Sequence, residues 1–517
     1  ACYNSKLFLD KGTPEIDTTE VFNEYMRLSR GHAHQKIVRD YAMRSGEMLD
    51  WMVGRHSRRD VEKYAKTSNY KGNDNFNGEC CGQRSWPAMT QWRDEESNIN
   101  MWPFVIRSVH AAFEEAGGTI KWGYQGVVLV QDGDAVTGAV FQDVDGAYHQ
   151  INAKAVVVAA GDFGGNPDMR LDLSDQMRNL AWSYGNDRTD ATSIGGMGRD
   201  GSGIRMCMVG RRHGWRAGPR AGQAAGINGV PGFAFGGAWP CFGNDGKRFM
   251  NEAMSQVVNA NCMRQPFGNI YAIADADYLK TVQSATLDHG APNWGSPSTV
   301  QTMVDAISAM KPGPEGAVIP QCGIVKKAGG ASTAAIGGAG MADPDASAGE
   351  APSDGATEAA GTGPMGGAGP MGDGGPNLWC ANTIEELLGY LGMEGEALET
   401  ALAEIERYNE LCHAGADTDF GKDASVMFPV EKAPFYGSVS ENTGIANAGL
   451  VTLAGLLTDE NLNVMRADRS GTIKGLYAAG NCLGQRYGVG YSTPSAGNSI
   501  GMAMTHGRVA GKIMAAL

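Results

Sequence analysis

The sequence predicts an α/β fold, and three stretches carry that prediction. The first is GLYAAGNCLGQRYGVGYSTPSAGNSIGMAMTHGRVAGKIMAAL, Gly475 to Leu517, which reads as a short apolar strand, a polar tyrosine-containing loop, and a small-residue turn opening a long helix. The second runs from Thr119 to Gly161, where the hydrophobic period changes to two. Its last segment, Ala155 to Gly161, is apolar on both faces, as a strand inside a parallel sheet is. The third is the chain before Gly118, whose apolar residues recur at helical spacing.

Taken in order, Thr18 to Met52 reads as two helices. Val21, Tyr25, Met26 and Leu28 form the core face of one, and Ile37, Val38, Tyr41, Met48, Leu49 and Trp51 that of the other. Asn69 to Arg93 is polar, aromatic and turn-rich, which predicts a surface loop. Trp102 to Glu115 is a further amphipathic helix ending at Gly117 and Gly118, with His110 as a packed structural residue. Between Thr119 and Gly161, Gly-Asp and Asp-Gly turns separate at least four strands. Thr383 and Glu386 stand at capping-box spacing before an apolar run, and Leu398 to Cys412 is a second helix of that region. From Ala328 to Pro376 the chain is Gly, Ala, Ser, Thr and Pro with acidic residues, a composition that offers no apolar face to a core.

Composition bounds the function. At 517 residues the chain is long enough for two or three domains. The net charge of −14 argues against a nucleic-acid partner, and no apolar run reaches the roughly 18 residues of a membrane span. The 10 cysteines show no CxxC pair or Cys/His spacing for zinc, iron–sulfur or haem, so no metal site is expected. The adjacent Cys80 and Cys81 read as independent thiols.

In the C-terminal run, strand, glycine-rich turn and helix start form an anion site. The first N–H groups of the helix lack intrahelical partners, and its dipole is positive there. Asn498 and Ser499 can add side-chain contacts. The alternative is an ordinary αβ unit whose glycines serve close packing.

GLYAAGN followed by AGNSIGMAMTHGRVAGK resembles the closing segment of the fumarate reductase and ketosteroid dehydrogenase group of FAD-dependent flavoproteins. KAVVVAAGDFGGNPDM resembles their second flavin signature, with Asp162 where many relatives have glycine. GGMGRDGSGIRMCMVG resembles their GDG turn, and NDGKRFMNE, GNIYAIADADY and KAPFYG resemble parts of their cap. The resemblance implies a Rossmann-like, dinucleotide-binding flavin domain, discontinuous in sequence, with an inserted α+β cap domain. Its boundaries here would be 1–217 and 452–517 for the flavin domain and 218–451 for the cap, with 328–376 an excursion from it. It also implies that a GxGxxG segment precedes Ala1, since ACYNSKLFLDKG resembles the family just after its first flavin-binding unit.

By the same resemblance, FAD would be held by Val127 or Val128 at the adenine and by Ala160, Gly161 and Asp162. Gly201 and Gly203 would lie beneath the flavin. Gly480 and Asn481, with Gly497, Asn498, Ser499 and Ile500, would lie around its pyrimidine ring. A reduced flavin is negative near N1 and O2, so a helix N-terminus aimed there stabilises it.

The substrate side departs from the fumarate reductases. Gln256 stands where they place a proton-donating arginine, Pro494 where an arginine clamps the substrate, and Val451 where they have histidine. A site lacking those charges binds a small dicarboxylate poorly. Tyr491 is placed like the tyrosine that ketosteroid dehydrogenases use to donate to a substrate carbonyl, although it lies further from the glycine turn. Arg486 or Tyr487 is the other candidate, as a carboxylate anchor, and simple packing of Tyr491 is the alternative to both roles. The expected activity is reduction of a double bond conjugated to a carbonyl or carboxyl group of an organic substrate, with an external electron donor or acceptor. A ketosteroid-type oxidation and a non-catalytic flavin-binding role are the alternatives.

Overall fold

Val156, Val157 and Val158 lie in parallel register with Leu476, Tyr477 and Ala478, so two apolar segments far apart in the chain form one sheet. The structure, a computed structural model, describes residues 1–67, 79–80, 83–86, 88, 90–94, 99–173, 200–208, 238–253, 261–262, 265–266, 268–284, 297–319, 378–442, 453–488, 491, 493–495 and 497–517. This first sheet has the order Asn463–Met465, Thr472–Ala478, Ala135–Gln142, Gln125–Asp132. Tyr148–Asn152 pairs with Ala135–Gln142, and Val156–Val158 with Thr472–Ala478. The four strands expected between Thr119 and Gly161 are present; the doubly apolar one pairs in parallel with Thr472–Ala478, as Ala135–Gln142 also does where Ala135 meets Lys474.

Leu476 and Ala478 are fully buried with Val136, Ile204 and Val464 in one core cluster. Burial of these apolar side chains, at ~25 cal/mol per Å², offsets the entropy of joining distant segments. Gly475 makes the approach feasible: its φ is +77°, and a Cβ there would lie 2.4 Å from the Val136 carbonyl oxygen.

The helices precede and follow this sheet. Thr18–Leu28 starts at Asp17, whose carboxylate accepts from the Thr19 N–H at 2.7 Å, and it buries Val21 and Tyr25. Gln35–Val53 buries Ile37, Val38, Tyr41, Met48 and Leu49, as its period predicts. Trp51 departs from the expected core: it is 40% exposed, and Met52 takes the inward position. The reason is angular, because Trp51 falls off the stripe formed by Ile37, Tyr41, Met48 and Met52 and instead stacks with the Arg55 guanidinium, 4.8 Å from its ring. The final helix, Asn498–Met514, packs on Gln35–Val53.

The stretch expected to be a surface loop contains a strand. Thr90–Asp94 pairs with Ala65–Thr67 and Ile99–Asn100, and Trp92 is 1% exposed against Met48, Leu49, Met52 and Val105. A single inward tryptophan on a five-residue strand is too short a signal for periodicity to detect.

A second sheet draws its strands from residues 241–442, in the order Cys241–Phe242, Gly268–Ala274, Phe435–Asn442, Leu378–Ala381, Gly313–Ala317, with every pairing antiparallel. Tyr278–Ser284 and Pro297–Ser308 pack on one face, and Ile384–Tyr390 and Gly395–Ala414 on the other. The capping box at Thr383 and Glu386 forms as expected. Gly313–Ala317 pairs as an edge strand despite lacking hydrophobic periodicity, with an irregular register against Leu378–Ala381. The acidic stretch 328–376 lies outside the described residues, as do Cys81, Gln256 and Val451.

The NDGKRFMNE hairpin is tied into this unit by buried charges. Arg248 donates to Glu252 at 2.9 and 3.0 Å and to Asp417 at 2.8 Å, and Lys422 lies 3.2 Å from Glu252. Lys422 also donates to Tyr408 Oη at 2.9 Å and to the Ala238 carbonyl. Two cations thus balance two carboxylates, all with side chains at most 2% exposed.

Candidate functional site

The carboxyl ends of the two parallel strands and the start of the last helix converge. After Val158 the chain turns at Gly161, where φ is +90°, and after Ala478 at Gly480, where φ is +61°. Asp162 is buried: it accepts from the Gly164 N–H at 3.0 Å and from Asn481 Nδ2 at 3.2 Å. Asn481 Oδ1 in turn accepts from the Ser499 hydroxyl at 3.2 Å. Asp162, Asn481 and Ser499 therefore join both strand ends to the helix start, and the Cys482 thiol closes the turn by donating to the Gly161 carbonyl at 2.9 Å.

The residues expected around a cofactor fall into two sets. Val127 and Val128, Ala160 and Ile500 expose apolar surface, while Gly161, Asn481 and Ser499 are half-buried. Gly203 and Asn498 face inward. A Cβ on Gly203 would sit 2.9 Å from Val158 and from Ala160, so this glycine lets the helix Ser202–Met208 lie close against the strand. Gly201 is likewise packed, against Met169 and Phe163, with a φ of +73°. The Asn498 side chain accepts from Tyr41 Oη at 2.7 Å and Tyr3 Oη at 3.3 Å and donates to the Ser495 carbonyl. Gly497, with a φ of +78°, directs the chain into the helix.

Arg486, Tyr487 and Tyr491 come together beside this helix start, and all three are buried. The two tyrosine rings meet edge to face at 4.8 Å, and the Arg486 guanidinium lies over Tyr487 at 4.9 Å. Arg486 Nε donates to the Leu483 carbonyl at 2.9 Å, whereas Nη1 has no hydrogen-bond partner among the described residues. The Tyr487 hydroxyl lies near Ser499 and Tyr491 without forming a well-aligned hydrogen bond to either. Burial pushes both phenols up, Tyr491 the more strongly, so they stay protonated. The Ser499 backbone N–H reaches the Tyr491 hydroxyl and works in the opposite direction, as does the positive charge of Arg486.

The N-terminal helices complete the cluster with residues that periodicity alone reads as core. Tyr3 and Tyr25 contact Tyr41 edge to face at 5.8 and 6.1 Å, and Tyr3 Oη, 3.2 Å from Ser495 Oγ, shares its one proton between that oxygen and Asn498. Tyr25, Tyr41, Tyr487 and Tyr491 share one buried cluster. No local signal marks these phenols, since only the packing of distant helices brings them to one place. Nearby, His506 is fully buried, with Nε2 3.1 Å from the Ile37 carbonyl. Burial lowers its pKa to about 4, keeping it neutral. Pro494 accepts from the Trp86 N–H at 2.9 Å through its carbonyl.

The FAD binding domain family matches residues 9–500. Among characterised proteins, the chain is 35% identical over 133 residues to the vinyl phenol reductase of Lactiplantibacillus plantarum, covering 26% of this chain and 25% of that protein. It is 32% identical over 149 residues to the 4-oxocyclohexanecarboxylate 2-dehydrogenase of Sinomonas cyclohexanicum, covering 26% of this chain and 24% of that one. It is 31% identical over 145 residues to the 3-oxosteroid 1-dehydrogenase of Mycobacterium tuberculosis, covering 25% and 24%. The matched stretch thus spans about a quarter of each relative. The fold is similar to that of 3-ketosteroid-Δ4-(5α)-dehydrogenase from Rhodococcus jostii RHA1, with a TM-score of 0.57 at 17% identity, over 99% of this chain and 86% of that one. It also matches 3-ketosteroid Δ1-dehydrogenase from Sterolibacterium denitrificans, with a TM-score of 0.55 at 16% identity, over 100% and 91%.

Proposed function

The chain belongs to the FAD binding domain family, and from that premise we propose an FAD-dependent oxidoreductase that reduces a carbon–carbon double bond conjugated to a carbonyl or carboxyl group. The observation that carries this reading is the buried Arg486, Tyr487 and Tyr491 constellation at the start of the last helix. The relatives named as a vinyl phenol reductase and as dehydrogenases of cyclic ketones support the bond class.

The residues suit FAD. Val127, Val128, Ala160 and Ile500 offer exposed apolar surface, and Gly161 and Gly480 permit close backbone approach at strand ends. Asn481, Gly497, Ser499 and the backbone of Asn498 present polar groups at a helix N-terminus. Asp162 holds Asn481 in place, while Gly201 and Gly203 let their helix pack beneath. When bound, FAD supplies hydride transfer.

The chain's own residues supply orientation and electrostatics. Tyr491 is assigned as the hydrogen-bond donor to the substrate oxygen on which charge grows as the double bond is saturated. A phenol that accepts from a helix N-terminal N–H is the stronger donor through its own proton, and the dry surroundings strengthen that bond. Arg486 and Tyr487 orient the substrate. The unit built on the second sheet, residues 218–451, is assigned as the cap. With Gln256, Val451 and Pro494 in place of the charged groups of fumarate reductases, small dicarboxylates are poor substrates. An external donor supplies the electrons.

Absorbance of the FAD-loaded protein tests this reading. Reduced viologen should bleach the flavin, and an enoate or enone should restore the colour. Bleaching by a saturated ketone, with no recovery on adding enoates or enones, would reverse the assigned direction. Flavin inert to all of them would make this a binding protein.

A further inference from the structure

Arg486 carries a guanidinium, yet it is 1% exposed, and its contacts among the described residues are neutral: the Leu483 carbonyl and the face of Tyr487. Nη1 is buried without a partner among the described residues. The rest of its loop, from Gln485 to Ala496, contains no acidic residue. An isolated dry guanidinium is costly, so such a group is retained where an anion completes it. Among the described residues, Tyr25, Tyr41, Tyr487 and Tyr491 share the adjacent cluster, and burial keeps their phenols protonated. Asp40 and Asp162 act on His506 and Cys482 respectively, as Arg486 does, but each carboxylate already has its own partner, Lys36 and Asn481. His506 stays uncharged near neutrality and supplies no second cation.

We propose that Arg486 is the specificity-determining anchor for one carboxylate, so that the substrate is a monoanionic enoate whose remaining body is apolar or aromatic. This rests on the proposed function and narrows its carbonyl-or-carboxyl alternative to the carboxylate. One guanidinium, presenting a planar fork, matches one carboxylate. A second carboxylate would lie among neutral phenols unpaired. A neutral ketone would leave Arg486 uncompensated. Each is therefore disfavoured relative to the monoacid.

Equilibrium binding separates this proposal from the reaction itself. Oxidised FAD-loaded protein is titrated at pH 7 with 3-phenylpropanoate, its methyl ester and 4-phenylbutan-2-one, and occupancy is read from the flavin difference spectrum without turnover. The acid should bind about 30-fold or more tighter than ester or ketone, the preference expected of a desolvated charge pair. Arg486→Gln should abolish that preference while ester binding persists, and Arg486→Lys should restore part of it. Equal binding of acid and ester by the unaltered protein overturns the proposal, a comparison that needs no variant to fold. So does an acid preference that survives Arg486→Gln while the flavin midpoint potential falls, since the guanidinium then serves the flavin. Failure of the reductive reading appears elsewhere, in the reoxidation assay, and leaves the acid-to-ester ratio untouched.

Discussion

Arg248 and Asp417, 169 residues apart in the chain, meet at 2.8 Å with side chains 2% and 0% exposed. That contact fastens the KRFMNE hairpin to the loop after the helix Gly395–Ala414, and Glu252 and Lys422 complete the charge balance. Asp417→Asn removes one negative charge and leaves the cations in excess. A loss of about 3 kcal/mol or more is expected by urea denaturation, because a buried charge loses its partner. An unchanged midpoint would mean that solvent already compensates the cluster.

The same carboxylate should shape the acid limit of stability. Burial works against ionisation of Asp417, but the Arg248 guanidinium and the backbone N–H groups of Phe420 and Lys422 outweigh it and lower the pKa from 3.8 to about 2. Its contribution is full above pH 4 and is lost as pH falls toward 2, in total roughly 2 kcal/mol. Asp417→Asn should flatten the stability curve in that window alone.

His506 acts at higher pH. Burial lowers its pKa from 6.5 to about 4, so between those values the unfolded chain binds a proton that the folded chain excludes. Stability is therefore full above pH 6.5 and falls by about 3 kcal/mol as pH drops to 4. His506→Gln, which can still donate to the Ile37 carbonyl, should remove this slope. A slope that persists in the variant would assign the acid sensitivity to another group.

Tyr491→Phe in the FAD-loaded protein should lower turnover by ~10²-fold or more, equivalent to about 3 kcal/mol, with flavin content unchanged. A purely packing role predicts normal turnover for the phenylalanine variant and impaired flavin retention for Tyr491→Ala. Measuring turnover and bound flavin in both variants decides between them.

At Gly475 a methyl group would face both a positive φ and the Val136 carbonyl oxygen at 2.4 Å. Gly475→Ala should cost about 2 kcal/mol or more, the left-handed penalty of 1–2 kcal/mol plus the displacement of backbone. Thermal unfolding reads this directly, and wild-type stability would show that the strand can shift without loss.

Sequence by itself determined the local elements and the chemistry they advertise. Val156 to Val158 read as a parallel strand because they are apolar on both faces, Thr383 with Glu386 as a helix start, and Gly475 to Leu517 as strand, loop and helix. Each is decided within a few residues by period, capping or glycine placement. Family motifs lie in these same short runs, so the family was legible there too. Packing alone decided the rest. Trp51 turned outward and Trp92 inward, and Tyr3, Tyr25 and Tyr41 gathered against the loop carrying Tyr487 and Tyr491. The burial of Arg486, with Nη1 unpartnered among the described residues, belongs to the same class, because desolvation and partner supply are properties of surroundings drawn from distant parts of the chain, and no pattern within one segment encodes them.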